Sequence, residues 1–320
     1  MPLGSFCIVL GVMLTSICTE YYQIMICQGI ITGVGGGCAF LTAVSILPTY
    51  FSTKRALAMG LAASGSSLGG VIYPITFNQL QPRIGYGWSV RIIGFIALLT
   101  LSIPCTVIKV RSRAPGKRKI FDPQIIRERP FACFNIATFF GFVGQYIPYF
   151  FIEQYANNYG IPHGFYMLVL LSAGSIPGRI LPSLIADKFL HPLVVLAACT
   201  SGATLLAFCW IAITSSTAGL IVWCLLYGFC SGAFVSLQGA AVASMTKDLR
   251  TIGTRFGINM FCGALGILIG SPVGGAIFPQ SWPGAQVFCA VNLLCSTAAI
   301  CGTYVIYMRE EGRPLFGFKG

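Results

Sequence analysis

The chain has 320 residues, of which 56% are apolar and only 9% carry a formal charge. An ordinary soluble domain is nearer 25% charged, and so few polar side chains cannot cover a soluble fold with this much apolar surface. The net charge of +12 would suggest nucleic acid if it were spread over a soluble surface. Here it collects on one set of loops, so the expected partner is the lipid bilayer and nucleic acid is excluded.

Apolar runs of roughly 20 residues recur along the chain, matching ~30 Å of hydrocarbon at ~1.5 Å per helical residue. They lack the period-2 alternation of barrel strands. The reading is an all-α integral membrane protein of about ten spans: 2–18, 22–48, 56–79, 88–108, 130–152, 164–186, 192–213, 217–244, 256–278 and 285–307. The connectors carry turn formers, among them Gln81-Pro82-Arg83, Thr214-Ser215-Ser216 and Ser281-Trp282-Pro283-Gly284. The stretch 109–129 holds Pro115-Gly116 and eight basic residues and separates four spans from six. The expected domains are therefore an incomplete N-terminal bundle (1–108), a cytoplasmic linker (109–129), a six-helix C-terminal bundle (130–308) and a cytoplasmic tail (309–320).

Fourteen cysteines fall almost wholly inside apolar runs without a C-x-x-C pair, and a free Cys packs as a small hydrophobe. No disulfide framework, metal site or cofactor motif is readable, and no G-x-x-x-x-G-K-[ST] phosphate loop occurs. Residues 1–18 lack the charged start of a signal peptide. Of twenty Lys and Arg, seventeen lie on alternate loops and the tail, which places the linker, the tail and residue 1 in the cytoplasm.

The segment GSSLGGVIYP (65–74) returns as GSPVGGAIFP (270–279), with six of ten positions identical. Gly29 and Gly33 are echoed by Gly228 and Gly232, at offsets of 205 and 199 for the two matches. Parallel repeats of six helices about an axis along the membrane normal are the plan of major facilitator transporters. An offset near 200 leaves 130–186 without a counterpart, so two helices are expected to precede Met1. Gly29, Gly33 and Gly37, and likewise Gly266, Gly270 and Gly274, form smooth stripes at i, i+4, i+8, suited to tight helix packing or to sliding during transport.

The runs TEYYQIMICQGIITGVGGG, YFSTKRALAMGLAASGSSLGGVIYPI and GYGWSVRIIGF resemble fungal monocarboxylate-transporter-like members of the major facilitator superfamily. GSIPGRILPSLIADKF looks like that family's eighth helix and the turn after it. The resemblance implies two six-helix bundles, a central cavity and alternating access, here with the first two helices missing. It also implies charged residues on a first helix and a charged turn after the second, and neither occurs in this chain. In proton-coupled animal members an acidic residue stands four positions before the eighth-helix arginine; that position is Ser175 here, which has no carboxyl to carry a proton.

An ionised side chain at mid-bilayer costs about 2.5–3.5 kcal/mol on insertion scales and usually faces a cavity. Arg179 is the clear example, eight residues before Asp187 and so roughly 12 Å along the axis. Its planar fork suits a carboxylate, though a structural ion pair or snorkelling would also place an arginine there. Ser175 lies one turn earlier on the same face. Gln145 near mid-membrane is a further candidate for lining the cavity. Asn135, Gln238 and Asn259 form an expected polar layer at similar depth, read equally as interhelical hydrogen-bond glue. Asp187 with Lys188 forms a turn able to lock one state through helix-end dipoles, or a plain topogenic pair. Arg91, three residues after Trp88, reads as an interfacial anchor.

No paired carboxylates or clustered nucleophiles stand within a span, so an enzyme is not expected. The reading is a secondary transporter of a small organic anion or metabolite (a monocarboxylate, vitamin or secondary metabolite), with a coupling proton as an optional partner. It would sit in the plasma membrane or, alternatively, a vacuolar one. A truncated inactive product, or a transporter-like sensor without flux, are the alternatives. The 320-residue chain by itself is expected to transport poorly.

Overall fold

The computed structural model describes residues 1–51, 53–108, 125, 127–214, 216–246 and 251–312. The linker reading for 109–124 and the tail beyond 312 lie outside them, as do Lys247 and Arg250. Among the described residues the regular elements are helices: α1 (Pro2–Thr15), α2 (Tyr21–Ile24), a π-helical turn (Met25–Ile31), α3 (Thr32–Tyr50), α4 (Arg55–Val107), α5 (Arg129–Gln145), α6 (Ile147–Asn158), α7 (Gly164–Lys188), α8 (Pro192–Cys209), α9 (Thr217–Ser244), α10 (Ile252–Ile277) and α11 (Trp282–Glu310). Eight helical stretches are long and apolar enough to cross a membrane, and Pro2–Thr15 is a shorter apolar helix. The chain is a multi-pass membrane protein.

Two differences from the sequence reading concern where the spans break. As a straight rod the 53 residues of α4 would reach about 80 Å, far beyond the hydrocarbon. The helix instead runs through Gln81-Pro82-Arg83, expected to be a turn, and breaks at Gly85, with φ 77° and ψ 171°. Side chains with a Cβ are strongly disfavoured there, so α4 supplies two spans, and each of the ten expected runs finds a helix. The second difference is that span 130–152 is not one helix. It breaks at Tyr146 and continues as α6 to Asn158. Pro148 has no N–H to give the Gly144 carbonyl, and that carbonyl accepts from the Cys289 thiol at 3.3 Å instead.

By its contacts the chain forms two compact units: Met1–Tyr50 with Gly69–Pro115, and Phe51–Leu68 with Gly116–Gly320. In the first, α1 packs on α3 so closely that Gly4 and Gly35 meet backbone to backbone. Arg91 donates to the Ser16 hydroxyl at 3.1 Å and lies 4.9 Å from the Trp88 ring centroid. That geometry suits an anchor at the interface. An apolar cavity of about 410 Å³ lies within this unit, lined by Pro2, Phe6, Leu10, Met13, Leu98 and Leu101 among others.

The second unit holds the larger core. Trp210, Trp223, Tyr155, Tyr227 and Leu220 are fully or almost fully buried in one cluster. Trp210 stacks on Trp223 at 5.0 Å, and Trp223 on Tyr227 at 4.9 Å. Two helix pairs cross through glycine. On α7 and α9, Gly174, Gly178, Gly228 and Gly232 each sit against a backbone carbonyl of the other helix. On α10, Gly266 and Gly270 sit likewise against the carbonyls of Phe139 and Val143 on α5. The stripe Gly29, Gly33 and Gly37 meets nothing within 4 Å, so only one of the two expected stripes is a packed seam among the described residues.

Candidate functional site

The site grows out of the way α4 begins. Helices leave their first N–H groups without partners, and here a carboxylate from far along the chain supplies them. Asp187, at the end of α7, accepts from the Ala56 N–H at 3.0 Å and the Leu57 N–H at 2.8 Å. One turn on, Gly60 rests against the Arg179 carbonyl and the Ser183 hydroxyl, leaving no room for a Cβ. That close approach lets the next turn of α4 reach Arg179. The guanidinium Nη1 donates to the Ala63 carbonyl and the Ser66 hydroxyl. One turn further, Ser175 donates to Ser67 at 2.7 Å, sharing its proton with the Ser172 carbonyl. Asp187, Ser183, Arg179 and Ser175 thus form one stripe on α7, with all these partners inside the second unit.

Arg179 is only 9% exposed, and its Nε is buried without a hydrogen-bond partner among the described residues. The phenols of Tyr146 and Tyr149 stand close enough to share its electrostatic field. Tyr149 bonds the Ser231 hydroxyl at 2.9 Å and also engages the Ser175 hydroxyl. Gln145 donates to the Ser231 carbonyl at 2.8 Å, and its own carbonyl accepts from Tyr227 at 3.1 Å. A single polar patch therefore joins Arg179, Ser175 and Gln145 through Tyr149 and Ser231. Ser175 is 1% exposed, so in this conformation its hydroxyl serves the helix contact.

The expected polar layer is not one connected set. Asn259 donates to Asn135 at 3.0 Å and to Thr138 at 2.8 Å, closing α10 on α5. Neither residue hydrogen-bonds to Arg179 or Gln238 among the described residues. Gln238 is 1% exposed, with both amide atoms unpartnered among the described residues. At the start of α10, Arg255 pairs with Glu128 at 2.5 Å and lies over Phe131 at 5.4 Å. Among the described residues no cluster of three metal-ligating side chains occurs.

Sequence reasoning did not single out Tyr146, Tyr149, Ser66 or Ser231. The Gln145-Tyr-Ile-Pro-Tyr run carries a usable signal, two phenols three residues apart beside a proline. Inside an apolar span, though, aromatic residues read first as packing.

The chain is similar to known proteins. The chain is 42% identical over 305 residues to the MFS-type transporter dbaD of Emericella nidulans, covering 93% of this chain and 68% of dbaD. It is 35% identical over 317 residues to the aspyridones efflux protein apdF of the same organism, covering 97% of this chain and 64% of apdF. The chain thus spans about two thirds of the length of these relatives. Among solved structures, the fucose:proton symporter FucP of E. coli superposes with a TM-score of 0.73 at 16% identity, over 94% of this chain and 82% of FucP. Residues 1–248 match the Major Facilitator Superfamily profile. With that match, and with relatives above 30% identity over nearly its whole length, the chain belongs to the major facilitator superfamily.

Proposed function

We propose that this protein is a secondary transporter that moves a small organic anion across a fungal membrane by alternating access, with Arg179 as the anion's partner. The observation that carries the reading is the buried guanidinium within a span, its Nε unpartnered and two phenols beside it. A cation held at this depth is costly unless it faces a polar cavity or an anion. Nη1 alone makes the bonds to Ala63 and Ser66, and a planar guanidinium can grip a carboxylate bidentately through a pair of its nitrogens. Exchange of the α4 partners for substrate would link binding to parting of the α4–α7 seam. The similarity to apdF, an aspyridones efflux protein, supports export from the cell across the plasma membrane. The monocarboxylate-like sequence runs support an acid as cargo, with a proton as the candidate coupling ion.

The test is equilibrium binding of radiolabelled benzoate to the purified chain, with melting temperature measured on the same samples. A charge-assisted hydrogen bond contributes about 1.5–3 kcal/mol. Arg179→Ala should therefore weaken binding by roughly one to two decades, and Arg179→Lys should recover little of it. If both variants bind benzoate as the parent does and differ only in melting temperature, Arg179 is structural and the proposal fails.

A further inference from the structure

Resting on that reading, the geometry around Arg179 points to a substrate class: we infer that the site takes a planar aromatic acid rather than an aliphatic one. Around the break at Tyr146, Tyr146 and Tyr149 lie within the electrostatic field of the guanidinium and belong to a longer aromatic run. The buried Phe142 ring stacks on Tyr146 at 5.8 Å with an interplanar angle of 7°, and is held from the other side by Phe234 at 5.6 Å. Tyr146 in turn lies 5.8 Å from Tyr149 and 6.3 Å from Phe150. Phe142 is 6% exposed, Tyr146 and Tyr149 are half-buried, and Phe150 is exposed. Tyr146 and Tyr149, the half-buried members of the shelf, are the ones that share the field of the charge.

That placement decides what the open faces meet. Acyl chains would solvate Phe150 or a phenol ring but not a guanidinium, so the faces of Tyr146 and Tyr149 nearest Arg179 are the ones a substrate would meet. Arg179 Nε is a donor buried without a partner, and the Tyr149–Ser231 hydroxyl pair at 2.9 Å supplies adaptable donors and acceptors. A flat ring can lie along Tyr146, whose position Phe142 fixes, while its acid group reaches the arginine. The aromatic quadrupole favours offset-stacked or edge-to-face contact with such a ring. A saturated acid of equal charge keeps the ion pair and loses the stacking.

The experiment compares three probes on the purified chain by isothermal titration: 2-naphthoate, decahydro-2-naphthoate, and neutral 2-naphthalenemethanol. The expected order places 2-naphthoate about fivefold tighter than its saturated analogue, with the neutral alcohol weakest. Tyr146→Leu should erase the preference for the flat acid, and Tyr146→Phe, which keeps the ring, should retain it. Arg179→Gln should weaken both acids alike and leave the alcohol unchanged. If the two acids bind equally and Tyr146→Leu changes neither, the aromatic assignment is wrong while the anion site stands. If acid affinity ignores Arg179, the anion reading falls and the aromatic inference with it. Absence of binding by all three probes overturns both.

Discussion

Removing the Asp187 carboxylate should free the first turns of α4 from α7. The carboxylate oxygens receive two backbone N–H groups, at 3.0 and 2.8 Å, which are orphan donors of the helix that starts at Arg55. Loss of an N-terminal cap costs about 0.5–2 kcal/mol. A negative charge at a helix N-terminus adds about 0.3–1 kcal/mol, rising to ~2 in partly buried geometry. Asp187 is half-buried, so Asp187→Ala should weaken the seam by about 2–3 kcal/mol, or roughly 30- to 150-fold in its opening equilibrium. Asp187→Asn keeps a carbonyl acceptor and loses the charge, so its effect should be about half as large in free energy. The assay places a cysteine at Ser67, which is 3% exposed beneath the seam, in a background without the natural cysteines. Maleimide labelling of the purified protein then reports opening. The reasoning is refuted if Ser67→Cys labels at the same rate with and without the Asp187 carboxylate in folded protein.

Gly60→Val should accelerate labelling at the same position and lower the melting temperature, because overpacking costs about 1–3 kcal/mol and the Arg179 backbone cannot yield. Gly33→Ala, where a Cβ meets nothing within 4 Å, should be neutral or stabilise by up to ~1 kcal/mol, and circular-dichroism melts of the two variants check the contrast. Asn259→Leu strands buried acceptors at Asn135 and Thr138 and should cost about 1–3 kcal/mol. The double change Asn135→Leu with Asn259→Leu should cost less than the sum of the two single changes, measured by denaturant unfolding in micelles.

The spans were legible because a helix crossing hydrocarbon must be apolar on nearly every face, so length and composition suffice to find it. Their ends were harder. Proline at 82 signals a turn in most soluble contexts, yet the chain bends three residues later, where only Gly85 accepts the required dihedrals. The break at Tyr146 was hidden because Pro148 lies well inside a long, mostly apolar run that has no charged residue at that point. Arg179 stood out for the opposite reason, as an ionisable group with no other charge within seven residues. Its partners did not, since Ala63 offers only a carbonyl and Ser66 lies 113 positions away. Asp187 was read as a turn residue with helix-end affinity. Which helix end it serves follows only from a contact across 131 positions. Tyr146 and Tyr149 look like packing until Arg179 is placed beside them.

The carbonyl-to-glycine crossings of α7 and α9 make those helices a single stiff wall. Backbone atoms in mutual contact cannot slide without lifting apart, so Arg179 and Ser231, one on each helix, travel as a pair. The contacts from Arg179 to α4 differ in kind: a side chain holds one carbonyl and one hydroxyl, and rotation about its own bonds releases both. Motion in this unit should accordingly divide unevenly, with the arginine letting go of α4 while its spacing to the α9 hydroxyl is preserved. A ligand held between Arg179 and Ser231 would ride with that wall as cargo, its binding distances unaltered while the surroundings open on one side and close on the other.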